Sequence, residues 1–99
     1  MKIESVTYED KVQISVSGRI DANSSEQFQE EILKGFQKSK TVIADFAQVS
    51  YISSMGLRAV LIGCKTASSK GGKFLIKNAD DAIKEVFIVV GLEDMVNMQ

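Results

Sequence analysis

Residues 45–64 have the sequence DFAQVSYISSMGLRAVLIGC, and the change from strand to helix within this stretch decides the fold. The preceding apolar run, residues 41–44, is rich in β-branched residues and short enough to be a buried strand. Polar Gln48 and Ser50 then interrupt the apolar residues and predict a short loop. Further on, apolar residues recur at i, i+3, i+4 and i+7, the spacing of one helix face: Leu57, Val60, Leu61 and Cys64.

Ser53 and Ser54 stand immediately before this helical pattern. A hydroxyl at that position can accept a hydrogen bond from a backbone N–H of the first helical turn. The N-terminus of a helix also favours negative charge. The stretch therefore predicts a strand, a short loop and a helix start, with a hydroxyl pair where negative charge can be bound or carried. The alternative is that one serine is an N-cap and has no further role.

Composition restricts the class of protein. The chain has 99 residues, of which 44% are hydrophobic and 25% are charged, and its formal net charge is −1. These values are typical of a globular protein of one domain, so we expect residues 1–99 to form a single domain. The sequence has no basic footprint for nucleic acid, no long apolar segment and no signal peptide. We therefore expect a cytoplasmic protein that neither binds nucleic acid nor inserts into a membrane.

The residues before the central stretch predict a β-hairpin and a helix. Strand-forming residues occupy 2–8, and in 12–20 apolar and polar residues alternate, as in a strand with one buried face. Gly18 breaks that apolar face and indicates a bulge or a close backbone approach. Residues 21–26 form a helix-start cluster, in which Asn23 and Glu26 have capping-box spacing. The apolar stripe of the helix is Phe28, Ile32, Leu33 and Phe36.

The residues after the central helix predict a strand, a third helix and an open end. Residues 68–72, SSKGG, predict a helix stop and a turn, and residues 74–76 a short strand. Asn78 or Asp80 can cap a third helix that Gly91 ends. Residues 94–98 can form a short strand or a frayed end. The core stripe of the third helix is predicted to be Ala79, Ile83, Val86, Phe87 and Val90.

This element order predicts an α/β fold. The order is β-β-α-β-α-β-α, with a short last strand if the end of the chain pairs with the sheet. A hairpin followed by strands that alternate with helices requires a small mixed sheet, because one strand pair is antiparallel and the helices cross over between the others. The simplest arrangement packs the helices mainly on one side of that sheet.

The residues give little support to catalytic chemistry. Without histidine, neither a Ser–His–Asp triad nor a histidine metal site can form. Cys64 lies on the apolar stripe of its helix, where a buried, inert thiol is expected. Gly71, Gly72 and Lys73 do not match the phosphate-loop pattern and predict a turn. We therefore expect no enzyme, no catalytic residue, no metal and no cofactor.

The outer face of the central helix predicts a docking surface. At about 100° per residue, Met55, Ala59 and Ile62 point away from the buried stripe and leave an apolar patch beside the serines. Gly56 removes a side chain where another backbone can approach. A phosphoserine at a helix N-terminus would leave the helix intact and would change what this surface can bind.

Residues 45–57, DFAQVSYISSMGL, resemble the signature of STAS domains, specifically those of the bacterial anti-sigma factor antagonists. The resemblance covers almost the whole chain, including residues 18–21, 71–72 and 86–92. It implies a mixed sheet packed by helices, with a phosphorylatable Ser or Thr at the start of the second helix. Such proteins, when unphosphorylated, bind an anti-sigma factor that is also a serine kinase. Phosphorylation by that kinase breaks the complex, and a PP2C-type phosphatase restores it.

By position, the resemblance implies that Ser54 is the phosphoacceptor. The sequence departs from the common motif at Ser53, where Asp is usual, and at Met55, where a second hydroxyl is usual, so Ser53 is the second choice of acceptor. The resemblance also implies that Asp21 lies near the acceptor and contributes to the partner surface. That surface is expected to consist of Asp21, Asn23, Ser53, Met55, Gly56, Arg58, Ala59 and Ile62.

Two other functions remain open at this point. STAS-like domains also act without phosphorylation, as constitutive docking domains or as sensors of small ligands or nucleotides, and the departure at Ser53 is compatible with that role. A small hydrolase is disfavoured because the chain has no histidine. In every case we expect the unbound protein to be monomeric.

Overall fold

The computed structural model describes residues 1–93 and the backbone of residues 97–98. The elements follow the predicted order, and the short last strand is present. Residues 94–96, the first part of the stretch predicted as a strand or a frayed end, lie outside the described residues. In chain order the elements are β1 (Lys2–Thr7), β2 (Val12–Ile20), α1 (Ser25–Lys38), β3 (Thr41–Ile52), α2 (Ser54–Lys70), β4 (Lys73–Lys77), α3 (Asp81–Val89) and β5 (Asn97–Met98).

The strands form one mixed sheet in the order β1-β2-β3-β4-β5. β1 is antiparallel to β2, and the other three neighbouring pairs are parallel. The Tyr8 N–H closes the hairpin turn by donating to the Lys11 carbonyl at 2.8 Å. A helix joins each parallel pair, and the crossovers advance across the sheet in one direction, so right-handed connections place the helices on one face. The predicted mixed sheet with helices mainly on one side is confirmed.

Phe46 of β3 lies at the centre of the core beneath these helices. Its ring centroid is 5.9 Å from that of Phe28 in α1 and 6.4 Å from that of Phe87 in α3. α2 approaches the sheet closely at Gly63, where an added Cβ would lie 3.1 Å from the ring of Phe74 in β4. The three helices therefore share one apolar core on the same face of the sheet.

Gly18 makes β2 irregular, as the sequence predicts. Its φ is +92°, a conformation that glycine adopts without a steric cost. The register of β2 against β3 shifts between Ser15 and Ser17 and again between Gly18 and Arg19. A Cβ on Gly18 would lie 3.4 Å from the Cα of Met1. The predicted alternatives, a bulge and a close backbone approach, therefore both occur at this position.

The loop predicted between the central strand and its helix is absent. β3 continues to Ile52, which pairs with Ile20 at the end of β2. Gln48 and Ser50 belong to the strand, and their side chains are exposed. The polar residues that interrupt the apolar pattern therefore mark the half-exposed part of a long strand.

The predicted ends of α2 and α3 agree with the structure. Gly71 follows α2 in the left-handed conformation, with a φ of +66°. Asp80, one of the two predicted caps of α3, accepts a hydrogen bond from the Ile83 N–H at 2.8 Å. Within the described part of the chain, no helix is long and apolar enough to cross a membrane.

Two local predictions are wrong. The N-cap of α1 is Ser24 rather than Asn23, and Oγ of Ser24 makes no cap hydrogen bond because it accepts from the Asp21 N–H instead, at 2.9 Å. Val90 was predicted to lie in the core stripe of α3, but it is 48% exposed because the helix ends before it and Gly91 then turns the chain. In both cases contacts at the end of the helix overrule the sequence spacing.

We predict that Phe46→Ala lowers the free energy of unfolding by about 3–5 kcal/mol, because it removes a buried ring that two helices contact. Tyr8→Ala removes an exposed aromatic ring at the hairpin turn and serves as the control, with an expected loss below about 1 kcal/mol. Urea denaturation followed by circular dichroism measures both. Equal losses would contradict the central position of Phe46.

Candidate functional site

The start of α2 is fixed against the ends of β2 and β3. The Ser53 N–H donates to the Ile20 carbonyl at 2.8 Å. Gly56, in the first turn, is buried, and a Cβ there would lie 2.7 Å from Cγ1 of Ile52 and 2.8 Å from Cγ2 of Ile20. The helix can approach the strands this closely only with glycine at position 56. The sequence suggested that the backbone of another molecule could approach Gly56. The space at Gly56 is instead filled by Ile20 and Ile52 of the same chain.

The two serines of the junction have different surroundings. Ser53 is the N-cap of α2, and its Oγ accepts a hydrogen bond from the Gly56 N–H at 3.2 Å. Ser54 is the first helical residue and is exposed. Within residues 1–93, the Ser54 hydroxyl has no hydrogen-bond partner. The capping role therefore belongs to Ser53, and the hydroxyl of Ser54 is accessible to another molecule.

The loop between β2 and α1 holds a carboxylate beside this junction. Oδ1 of Asp21 accepts hydrogen bonds from the Asn23 N–H at 3.0 Å and from the Ser24 hydroxyl at 3.2 Å. These bonds, the Asn23 N–H above all, and the nearby Arg19 guanidinium lower the pKa of Asp21 below its ordinary value. Arg19 lies 4.0 Å from the carboxylate and stacks over the Tyr51 ring, 4.2 Å from its centroid. The loop therefore presents a fixed negative charge at neutral pH.

Small residues rather than leucines form the buried face of α2. Ala59 is 1% exposed, so its predicted place on the outer face is wrong. Leu57 and Leu61, predicted to lie in the buried stripe, are only half-buried. α2 packs against both the sheet and α1, and this double contact selects the side of the helix with the smallest side chains. The buried residues of α2 are Gly56, Ala59, Val60, Gly63, Cys64 and Ala67.

The rest of the predicted patch borders a hollow between α2 and α1, which we call the α1 hollow. Met55 is 47% exposed, Arg58 is exposed and Ile62 is half-buried. In residues 1–93, the Arg58 guanidinium has no carboxylate within 4.0 Å. These side chains remain available for a partner, unlike Ala59. The α1 hollow is lined by Ser25, Glu26, Gln29, Met55, Arg58 and Ile62.

A second hollow, which we call the α3 hollow, lies on the other flank of α2. It brings Ser54 together with Val90 and Leu92, two residues that the sequence did not predict as part of the site. The sequence feature that could have indicated Val90 is the apolar run 86–90. Five consecutive apolar residues cannot all lie on one buried face of a helix, so some of them must be exposed. Arg58 borders both hollows. The α3 hollow is lined by Ser54, Leu57, Arg58, Leu61, Val90 and Leu92.

The described residues offer no further reactive group at the junction. Cys64 is buried, and burial raises the pKa of its thiol to about 11, so the thiolate is scarce at neutral pH. Over the part of the chain that the structure describes, no group of three or more His, Cys, Asp or Glu side chains is placed to hold a metal ion. The hydroxyls of exposed Ser54 and half-buried Ser53 are therefore the groups considered for covalent chemistry at this site.

Known proteins share this sequence pattern and fold. The family model described as the STAS domain matches residues 2–99. The anti-sigma-B factor antagonist of Staphylococcus epidermidis is 29% identical over an alignment 101 residues long, gaps included. The alignment covers 99% of this chain and 92% of that protein. A putative anti-sigma factor antagonist from Thermotoga maritima superimposes with a TM-score of 0.88 at 16% identity, over 97% of this chain and 84% of the other.

The SpoIIAA protein of Bacillus, an anti-sigma factor antagonist, has been solved in two forms that resemble this chain. The unphosphorylated form has a TM-score of 0.79 at 22% identity, over 99% of this chain and 87% of that one. The phosphorylated form has a TM-score of 0.78 at 23% identity, over 99% of this chain and 91% of that one. At these identities the structural likeness shows the fold alone.

We predict that the two neighbouring serines respond differently to replacement by alanine. Ser53→Ala removes the hydroxyl that caps α2 and should lower the free energy of unfolding by about 1 kcal/mol. Ser54→Ala removes an exposed hydroxyl at a helical position and should change it by less than about 0.5 kcal/mol. Parallel urea denaturation curves measure the difference. If Ser54→Ala caused the larger loss, the capping role would belong to Ser54 and not to Ser53.

Proposed function

Because this chain belongs to the STAS domain family, we propose that it is an anti-sigma factor antagonist that works by phosphorylation-controlled partner switching. The unphosphorylated protein binds an anti-sigma factor that is also a serine kinase. Phosphorylation of Ser54 releases that partner, and a PP2C-type phosphatase returns the protein to its binding state. The anti-sigma-B factor antagonist that aligns with 99% of this chain supports the assignment. The sigma factor and the ATP of the kinase place these events in the cytoplasm.

The observation that carries this proposal is the exposed hydroxyl of Ser54, which has no hydrogen-bond partner within residues 1–93. A kinase must reach the acceptor oxygen, and Ser54 offers it at the first position of a helix whose capping bond is already made by Ser53. Ser53 is half-buried and its Oγ already accepts the capping hydrogen bond, so this oxygen is less accessible to a kinase than that of exposed Ser54. Ser54 is therefore the preferred acceptor, and Ser53 remains the second choice.

The proposed modification is an ordinary phosphoryl transfer. Oγ of Ser54 forms a bond to the γ-phosphorus of ATP, ADP leaves, and the hydroxyl proton passes to a base on the kinase. The phosphatase reverses the modification by hydrolysis, which regenerates the hydroxyl and releases inorganic phosphate. The first turn of α2 accepts the added charge because its backbone N–H groups and the helix dipole favour an anion there.

The proposed partner surface surrounds Ser54. It combines three residues of α2, exposed Met55 and Arg58 and half-buried Ile62, with the loop that carries Asp21 and Asn23. A phosphate adds about −1.5 to −2 charges to an interface that fits a neutral hydroxyl. Burying that charge near the Asp21 carboxylate would be unfavourable. A loss of about 4 kcal/mol would weaken binding roughly a thousandfold, which is enough for a switch.

We predict that the protein isolated from its own cells carries phosphate on Ser54 and that the occupancy changes with growth state. Trypsin cleaves after Lys40 and Arg58, and the released peptide holds Ser50, Ser53 and Ser54. Fragmentation in a mass spectrometer separates the three positions. Phosphate on Ser53 alone would keep the switch and move the acceptor. A peptide that is unmodified in every growth state would favour the constitutive docking or nucleotide-sensing domain.

We also predict that Ser54→Asp weakens binding of the proposed partner, the anti-sigma factor that is also a serine kinase, by at least about tenfold. Aspartate carries less charge than a phosphate, so the loss should be smaller than that caused by phosphorylation. Ser50→Asp adds the same charge to an exposed position on β3 and serves as the control. Calorimetric titration of the purified kinase measures both variants. Equal affinities for Ser54→Asp and the unmodified protein would refute partner release by charge.

A further inference from the structure

We propose that Arg58 binds the phosphate of phosphorylated Ser54 within the same chain, and that phosphorylation thereby withdraws Arg58 from the partner surface. This inference rests on the proposed function, since it concerns the same acceptor. It adds a second effect to modification: the interface gains negative charge and, at the same time, loses the use of its nearest positive charge.

The positions of the two residues on α2 carry the inference. Ser54 and Arg58 are four residues apart, so their side chains are neighbours on the helix surface, with Cβ atoms about 5–6 Å apart. Both line the α3 hollow. An arginine side chain spans this distance easily, and its planar guanidinium can donate two hydrogen bonds to one phosphate. A phosphate on Ser54 therefore lies within reach of Arg58 without any movement of the backbone.

Arg58 is also uncommitted in the unphosphorylated protein. Among residues 1–93, no carboxylate lies within 4.0 Å of its guanidinium, whereas Arg19 is paired with Asp21 and stacked on Tyr51. Arg58 is the one cationic side chain in the lining of either hollow, as far as the described residues show. Within residues 1–93, no ion pair therefore has to break before Arg58 can bind a phosphate.

The neighbouring elements carry three carboxylates, of which that of Asp21 is already paired with Arg19. Asp21 lies on the loop that follows Ile20, Glu26 of α1 lines the α1 hollow, and Glu93 follows Leu92 of the α3 hollow. None of these carboxylates can attract a phosphate, so Arg58 is the group in the lining of the two hollows that can. Because Arg58 borders both hollows, it can serve the partner from the α1 side before modification and the phosphate from the α3 side afterwards.

The test uses the full chain with phosphoserine inserted at position 54 during translation, so it does not depend on a cellular kinase. Phosphorus NMR at an ionic strength of about 0.15 M follows the second ionisation of the phosphate, whose ordinary pKa is about 6. Arg58 favours the dianion, so Arg58→Gln should raise this pKa by about half a unit. Arg58→Lys keeps the charge but loses the two-bond geometry, and it should give a smaller rise.

Lys65→Gln is the matched control. It removes the same charge from an exposed position on the same helix, eleven residues from Ser54 and about 16 Å along the axis. At this salt concentration that distance exceeds the screening length of about 8 Å, so the pKa of the phosphate should not change. A change caused only by net charge would appear in both variants, whereas a direct contact would appear in Arg58→Gln alone.

A second signal tests the contact directly. The chain has two arginines, Arg19 and Arg58, so its proton–nitrogen spectrum contains two Nε–H signals. Insertion of the phosphate should shift the Arg58 signal and leave that of Arg19 in place. Equal pKa values in Arg58→Gln and Lys65→Gln, or an unmoved Arg58 signal, would overturn the inference without affecting the proposed function. If cells never phosphorylate Ser54, the proposed function fails while these measurements still report the contact.

Discussion

The tight contact between the first turn of α2 and the ends of β2 and β3 is the constraint on which the site depends. Gly56 sits where any side chain would collide with Ile20 and Ile52, and the Ser53 N–H is bonded to the Ile20 carbonyl. The helix can therefore neither rotate nor withdraw without losing both contacts. This fixed placement directs the Ser53 hydroxyl to the Gly56 N–H and leaves Ser54 pointing outward.

The fixed junction also decides which charges surround Ser54. The Ile20 carbonyl that binds Ser53 is followed directly by Asp21, whose carboxylate is held by the Asn23 N–H and the Ser24 hydroxyl. Negative charge therefore lies on the β2 side of the junction and the positive charge of Arg58 one turn along α2. A group added to the Ser54 hydroxyl lies between these two charges. A change of charge on this group therefore affects the surface more than it would on a surface without fixed charges.

The core beneath the site does not need to change for the surface to switch. Phe46 is buried against α1 and α3, and the buried face of α2 consists of small apolar residues. A modification at the exposed first residue of a helix alters local electrostatics and packing on the surface alone. A protein of this design can keep one fold in both states, and its partners distinguish the states by charge.

The sequence by itself determined the element order, the mixed sheet, an irregularity at Gly18 and the helix start at the two serines, because these follow from apolar periodicity and from residues with special backbone preferences. Tertiary structure decided the rest. It made Ser53 the cap and left the Ser54 hydroxyl without a hydrogen-bond partner in residues 1–93, and it buried Ala59 while half-exposing Leu57. Periodicity gives the direction of an apolar face only to within about one residue. The side of α2 that turns inward is set by two packing partners, the sheet and α1, whose positions only the folded chain defines.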